Sequence, residues 1–277
     1  MASLPHLRLL FFDVFGTSVV QREPVADELW LAAKDALDEQ GLSLIDSEVR
    51  TKATQMTYEQ WFELGGKWNE SKDDFIRESK AKHGSVDWRE VDLRRIESLR
   101  TLLAGRGLIK LNKKGQAEKG SLFYDVQLDH LGRVWHRLPP WPDTCRGLSL
   151  LNSKATMVAL RNTYNDLLQS LVAHSKIPFT HVFSADMFDS FKPNPKVYLG
   201  ASERLGVRPD ESALVAAHLG DLQGAKACRF RTIYLNRPLE EKNPELQHED
   251  IADLVIEEHE EGFITLAKLL GLAVGSS

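Results

Sequence analysis

The sequence predicts an α/β fold, a Rossmann-like parallel-sheet core with an inserted helical cap. Three observations predict it. The apolar run from Leu7 to Val14 carries Asp13 near its end and is broken by Phe15-Gly16-Thr17. Residues from Pro24 to about His136 repeat apolar positions at helical spacing and show few strand signals. After LPPWPDT, at 138 to 144, strand-like and helix-like segments alternate to the end.

An apolar run buried on both faces is the signature of a central strand in a parallel sheet, which accounts for Leu7 to Val14. In the middle region Leu29, Trp30, Ala33 and Leu37 lie on one helical face, with Gly41 as a stop. Asp46 to Trp68 predicts a second helix with Tyr58, Trp61 and Leu64 on one side, and Asp87 to Leu103 and Gln127 to Trp135 predict two more. The stretch GRGLIKLNKKGQAEKGS, 105 to 121, is basic and aperiodic and reads as a mobile loop with solvated lysines. Beyond it, ATMVAL (155 to 160), THVFSA (180 to 185), SALVAA (212 to 217), RTIYL (231 to 235) and LVI (254 to 256) are strand-like. Helical segments separate them, so the sheet is parallel and the first strand must join it. Residues 1–17 and 138–277 therefore form the core domain, and 18–137 the helical cap.

Among 277 residues, 42% hydrophobic and 27% charged, there is enough apolar material for one large core or two unequal ones. A formal net charge of −5 argues against a nucleic-acid partner, which would need a cationic surface. Cys145 and Cys228 are too few to staple the chain and read as reduced, buried thiols. No run reaches the roughly 18 apolar residues of a membrane span. The N-terminal residues lack a small-residue cleavage site, so a soluble, cytoplasmic protein is expected.

Ligands of such sheets sit at the carboxyl ends of the strands. Polar residues follow each core strand there: Asp13 and Thr17, then Arg161, Asn162 and Thr163, then Lys192, then His218 and Asp221. Converging on one mouth, they make chemical sense. A carboxylate at Asp13 can attack carbon or phosphorus and form an ester that water later cleaves. Lys192 would keep Asp13 ionised, and Asp221 would orient Lys192 or the water, or bind a cation. Arg161 has two readings: a bidentate grip on a substrate carboxylate, or a pairing with an acid such as Asp186. His218 is a general base or a hydrogen-bonded spacer. Tyr58, Trp61 and Trp68 either pack or line an apolar pocket beneath the cap.

FFDVFGT, FKPNPKVYLGASERLGV, VAAHLGDLQGAK and WHRLPPWPD together resemble the L-2-haloacid dehalogenase branch of the haloacid dehalogenase superfamily. The resemblance implies hydrolysis of a small 2-haloacid without a cofactor, a small carboxylate as ligand, and often a homodimer. Carried over by position, it makes Asp13 the nucleophile, Thr17 a support for its carboxylate, Lys192 a charge stabiliser and Asp221 the residue that prepares water. Phe15, Arg161, Asn162, Trp61 and His218 would surround the substrate. Phosphatase branches carry a second Asp where this chain has Phe15, and a halide, unlike an alkoxide, leaves without a proton. The chain departs from the dehalogenase pattern in having Phe62 after Trp61, Arg161 before Asn162, and Ala216 and His218 before Asp221. Two other functions share the fold. One is a Mg²⁺-dependent phosphatase, with Asp13, Asp221 and the Phe15 carbonyl as ligands. The other is a biosynthetic enzyme or binding protein that uses the same site differently.

Overall fold

The computed structural model describes residues 6–38, 44–83, 87, 90–241, 243 and 245–274. The chain divides into two compact units, one formed by residues up to Val20 and from Leu138 onward, the other by Gln21–Arg137. Ser18 to Val20 lie with the first unit because Val20 N–H donates to Pro139 O and Trp141 N–H to Ser18 O.

In chain order, β1 (Leu9–Phe12) precedes the helical unit, which holds α1 (Arg22–Asp38), α2 (Ser47–Gln55), α3 (Tyr58–His83), α4 (Val91–Gly105) and α5 (Asp125–Gly132). The expected stop at Gly41 lies outside the described residues. The single helix predicted from Asp46 to Trp68 is two, because the chain is extended at Met56. A reciprocal capping box then restarts it: Thr57 N–H donates to Gln60 Oε1 (3.0 Å) and Gln60 N–H to Thr57 Oγ1 (3.4 Å). Trp61, Leu64 and Trp68 occupy the buried face of α3. Trp68 meets Trp135 edge-on at 4.6 Å and donates its indole N–H to Arg95 O, which makes these tryptophans packing residues. A cavity of about 280 Å³ in this unit is lined instead by Gln21, Val25, Phe62, Gly65 and Asn69.

The segment 105–121 also differs from the expected mobile loop. Asn112 N–H donates to Gln116 O, Glu118 N–H to Lys110 O and Lys110 N–H to Ser121 Oγ, folding it back on itself. The Asn112 side chain accepts from the amides of Lys114 and Gln116, and Lys110 pairs with Asp46. Local turn chemistry orders what composition alone suggests is free.

The core unit continues with α6 (Thr144–Leu151), β2 (Thr156–Arg161), α7 (Asn165–Ser175), β3 (His181–Ser184), α8 (Pro195–Arg204), β4 (Ser212–Ala216), α9 (Leu219–Ala227), β5 (Arg231–Leu235), α10 (His248–Ile251), β6 (Leu254–Ile256) and α11 (Gly262–Leu269). The six strands form one parallel sheet in the order β3-β2-β1-β4-β5-β6. β1 is central and wholly buried, with Phe12 level with Ala159 on one side and Val215 on the other. The connection reverses direction across β1, so the crevice for a ligand opens at its carboxyl end. Cys228 is buried but Cys145 only half-buried, and both are free thiols. Among the described residues no helix is long and apolar enough to cross a membrane.

A buried ion pair locks the core behind the sheet. Arg237 donates through both terminal nitrogens to Asp143 (2.8 and 2.9 Å), and Phe263 N–H donates to the same carboxylate. Removing one partner strands the other charge away from water. Asp143→Ala is expected to lower the unfolding free energy by about 3–5 kcal/mol in urea titrations; a loss below about 1 kcal/mol would mean that Arg237 finds solvent.

Candidate active site

Asp13 is the first residue past β1, and its N–H still pairs with Val215 O at 3.0 Å, so its backbone is fixed by the sheet. Ser18 Oγ donates to Asp13 O (2.8 Å) and closes the following turn. Thr17 Oγ1 accepts the N–H of Ala217 at 2.9 Å, which leaves its own proton for Asp13 Oδ2 at 3.2 Å. One hydroxyl thus couples the loops after β1 and β4.

Two cations meet on the Asp13 carboxylate. Lys192 Nζ donates to Oδ1 at 2.6 Å, and Arg161 Nη1 reaches Oδ1 at 2.9 Å and Oδ2 at 3.2 Å. Arg161 therefore points at Asp13, not at Asp186, which accepts instead from Ser184 Oγ and the Asn165 N–H. The Arg161 guanidinium stands over the Phe15 ring, 4.8 Å from its centre, so Phe15 supports the arginine. Lys192 also donates to Asp221 Oδ2, and His218 Nδ1 lies 3.2 Å from Asp13 Oδ2. The geometry thus gathers Asp13, Phe15, Thr17, Arg161, Lys192, His218 and Asp221.

Asn162 holds the lysine loop. Its side-chain amide donates to Lys192 O (2.9 Å) and accepts from Lys192 N–H (2.6 Å), so both ends are engaged in holding the lysine loop. Asn194 then caps α8 by accepting the Lys196 N–H, with Pro195 at the first helical position. α9 comes so close to this loop at Gly224 that a Cβ there would lie 2.6 Å from Pro193 Cβ. Trp61 is buried in the helical unit, and Phe62 is the α3 aromatic that lines that unit's cavity.

Complete burial pushes the Asp13 carboxyl up, but the Arg161 guanidinium, Lys192 and His218 outweigh this and hold it well below the usual carboxylate range. Asp13 is an anion wherever the protein is folded near neutral pH. Asp13, His218 and Asp221 offer ligand atoms within 4.8 Å of one another. The set does not suit Mg²⁺, which demands octahedral oxygen ligands. Each Asp13 oxygen already accepts two or three hydrogen bonds, an ammonium bridges the two carboxylates, and the third donor is an imidazole.

Sequence reasoning passed over Glu240, which lies in the loop after β5 with only 2% of its surface exposed and its Oε2 4.0 Å from His218 Nε2. The available signal was the acidic pair Glu240-Glu241 just past the strand RTIYL, at the same sheet end as the other polar residues.

The family model for haloacid dehalogenase-like hydrolases matches residues 7–229, and the chain belongs to that family. (S)-2-haloacid dehalogenase 4A of Burkholderia cepacia is 35% identical over 112 residues, which are 39% of this chain and 48% of that protein. (S)-2-haloacid dehalogenase 1 of Pseudomonas sp. strain CBS-3 is 32% identical over 107 residues, 38% and 47% of the two chains. The chain spans about half the length of these curated relatives. The crystal structure of the L-2-haloacid dehalogenase PA0810 superposes with a TM-score of 0.70 and 27% identity, covering 95% of this chain and 99% of that one.

A depressed folded-state pKa makes a stability contribution that is complete above the unfolded value, about 3.9 for Asp, and is lost as pH falls through the lower folded value. The unfolding free energy of the wild type minus that of Asp13→Asn is therefore expected to shrink below about pH 4. A difference that grows on acidification would show that burial, not the cations, dominates at Asp13.

Proposed function

We propose that the protein hydrolyses a small 2-halo carboxylic acid through an ester on Asp13. The observation that carries this reading is a buried carboxylate on which Lys192 and Arg161 converge, with Phe15 where a proton donor for an alkoxide would stand. Family membership supports the same chemistry.

Arg161 exchanges part of its hold on Asp13 for the substrate carboxylate, a geometry that a guanidinium fork suits. This places the halogen-bearing carbon next to Asp13 and frees one of its oxygens. That oxygen attacks the carbon from the face opposite the halogen. A carbon–oxygen bond forms, the carbon–halogen bond breaks, and halide leaves with the bonding pair and with inversion. Lys192 and Thr17 keep the carboxylate aligned and ionised until it reacts. Water then cleaves the ester at the Asp13 carbonyl carbon, releasing a 2-hydroxy acid and restoring the carboxylate. Asp221 fixes Lys192 across the site. No step needs a metal cofactor.

Chloride release from L-2-chloropropionate tests the reading. The wild type is expected to turn over with and without EDTA, and Asp13→Asn to be inactive once slow deamidation of the new Asn is controlled by mass spectrometry. Turnover that survives Asp13→Asn, or phosphate-ester hydrolysis that requires Mg²⁺, would contradict it. Arg161→Ala removes a charge-assisted contact worth about 1.5–3 kcal/mol, so steady-state kinetics should show KM rising roughly 10- to 100-fold. An unchanged KM would remove Arg161 from substrate binding.

A further inference from the structure

His218 and Glu240 take no part in the displacement step, yet they are built into the same sheet end. His218 follows β4, with Nδ1 3.2 Å from Asp13 Oδ2 and Nε2 4.0 Å from Glu240 Oε2. Glu240 is buried in the loop after β5, where its N–H donates to Arg237 O at 3.3 Å. The adjacent Glu241 accepts the Leu219 N–H at 2.6 Å, tying this loop to the start of α9. Gly16, at φ +82°, leaves the space the Glu240 carboxylate occupies: a Cβ there would lie 2.3 Å from Oε2. The nucleophile loop is thus shaped to admit a buried carboxylate behind the imidazole.

We propose that His218 is the general base that hydrolyses the Asp13 ester, and that Glu240 is the positioning residue that sets its orientation and tautomer. The inference rests on the aspartyl-ester reading above. Asp221 is poorly placed for this task because its Oδ2 already holds the Lys192 ammonium. Glu240 Oε2 faces Nε2, and Nδ1 faces the reacting carboxyl. While Asp13 is an anion, Nδ1–H donates to it. Esterification removes that negative charge, and the neutral ring takes the tautomer with its proton on Nε2, toward Glu240, which leaves Nδ1 as an acceptor.

Water then adds to the Asp13 carbonyl carbon as its proton passes to Nδ1. The tetrahedral intermediate collapses, the bond from that carbon to the ester oxygen breaks, and the departing alkoxide takes the proton back from Nδ1. The Asp13 carboxylic acid ionises, which completes the balance of organic halide and water to hydroxy acid, halide and one proton. The imidazolium formed on the way is stabilised by Glu240, as a carboxylate behind a catalytic histidine commonly does.

The test separates the two half-reactions. His218→Gln and the isosteric Glu240→Gln are mixed with L-2-chloropropionate, and chloride and intact protein mass are followed from the first turnover. Both variants are expected to release about one equivalent of chloride and to accumulate the ester on Asp13. Steady turnover should fall about 10²-fold or more for His218→Gln, the usual range for a lost general base, and by less for Glu240→Gln. Glu240→Asp should recover part of the loss. Steady turnover within threefold of wild type in both variants overturns the proposal, as does loss of the chloride burst together with the ester, which marks a structural role. A wild type that releases no chloride at all overturns the dehalogenase reading itself and this inference with it.

Discussion

Everything at the sheet's carboxyl end depends on one constraint: the Asp13 carboxylate is buried and is kept ionised by Lys192 and Arg161. A buried charge is tolerated only when paired and fully hydrogen-bonded. Asp13 meets both conditions, because Thr17 and His218 supply the remaining contacts. The same conditions suit a nucleophile, since a desolvated anion reacts more readily than a hydrated one and is already aimed. The contacts come from the end of β2 and the loops after β1, β3 and β4, so the parallel sheet is what brings such distant residues to one place.

In the proposed cycle the Asp13 charge itself is the signal that separates the two steps. The anion holds Arg161, Lys192 and His218. The neutral ester releases the imidazole while Lys192 remains fixed by Asp221 and by the Asn162 amide on its backbone. The imidazole at 218 has the Glu240 carboxylate behind it, in space that Gly16 leaves open. These three residues are far apart along the chain and nearly in contact in space.

The alternation of strands and helices after residue 138 made the core legible, because a buried parallel strand needs a continuous apolar run and few other arrangements produce one. Asp13, Thr17 and Asp221 were legible for the same reason, following such a run closely, and Lys192 follows one a short way further on. What a one-dimensional pattern does not carry is direction. Arg161 is long enough to reach either Asp13 or Asp186, and only packing over Phe15 decides. Asn162 stands beside Arg161 in sequence, yet its amide bonds the Lys192 backbone while Arg161 bonds Asp13. Glu240 sits in an irregular loop where nothing periodic marks it. The break between α2 and α3 was readable from Thr57-x-x-Gln60, but the apolar spacing on either side hides it.

The most direct measurement is a single turnover in heavy-oxygen water with the protein in excess over L-2-chloropropionate. If Asp13 is the nucleophile, water enters the Asp13 carboxylate and the product receives its oxygen from the protein. The peptide containing Asp13 then gains the heavy isotope while the first hydroxy acid formed stays light. Heavy oxygen in that first product, with none in the peptide, would mean that water attacks the substrate directly and that the two cations hold Asp13 for some other purpose.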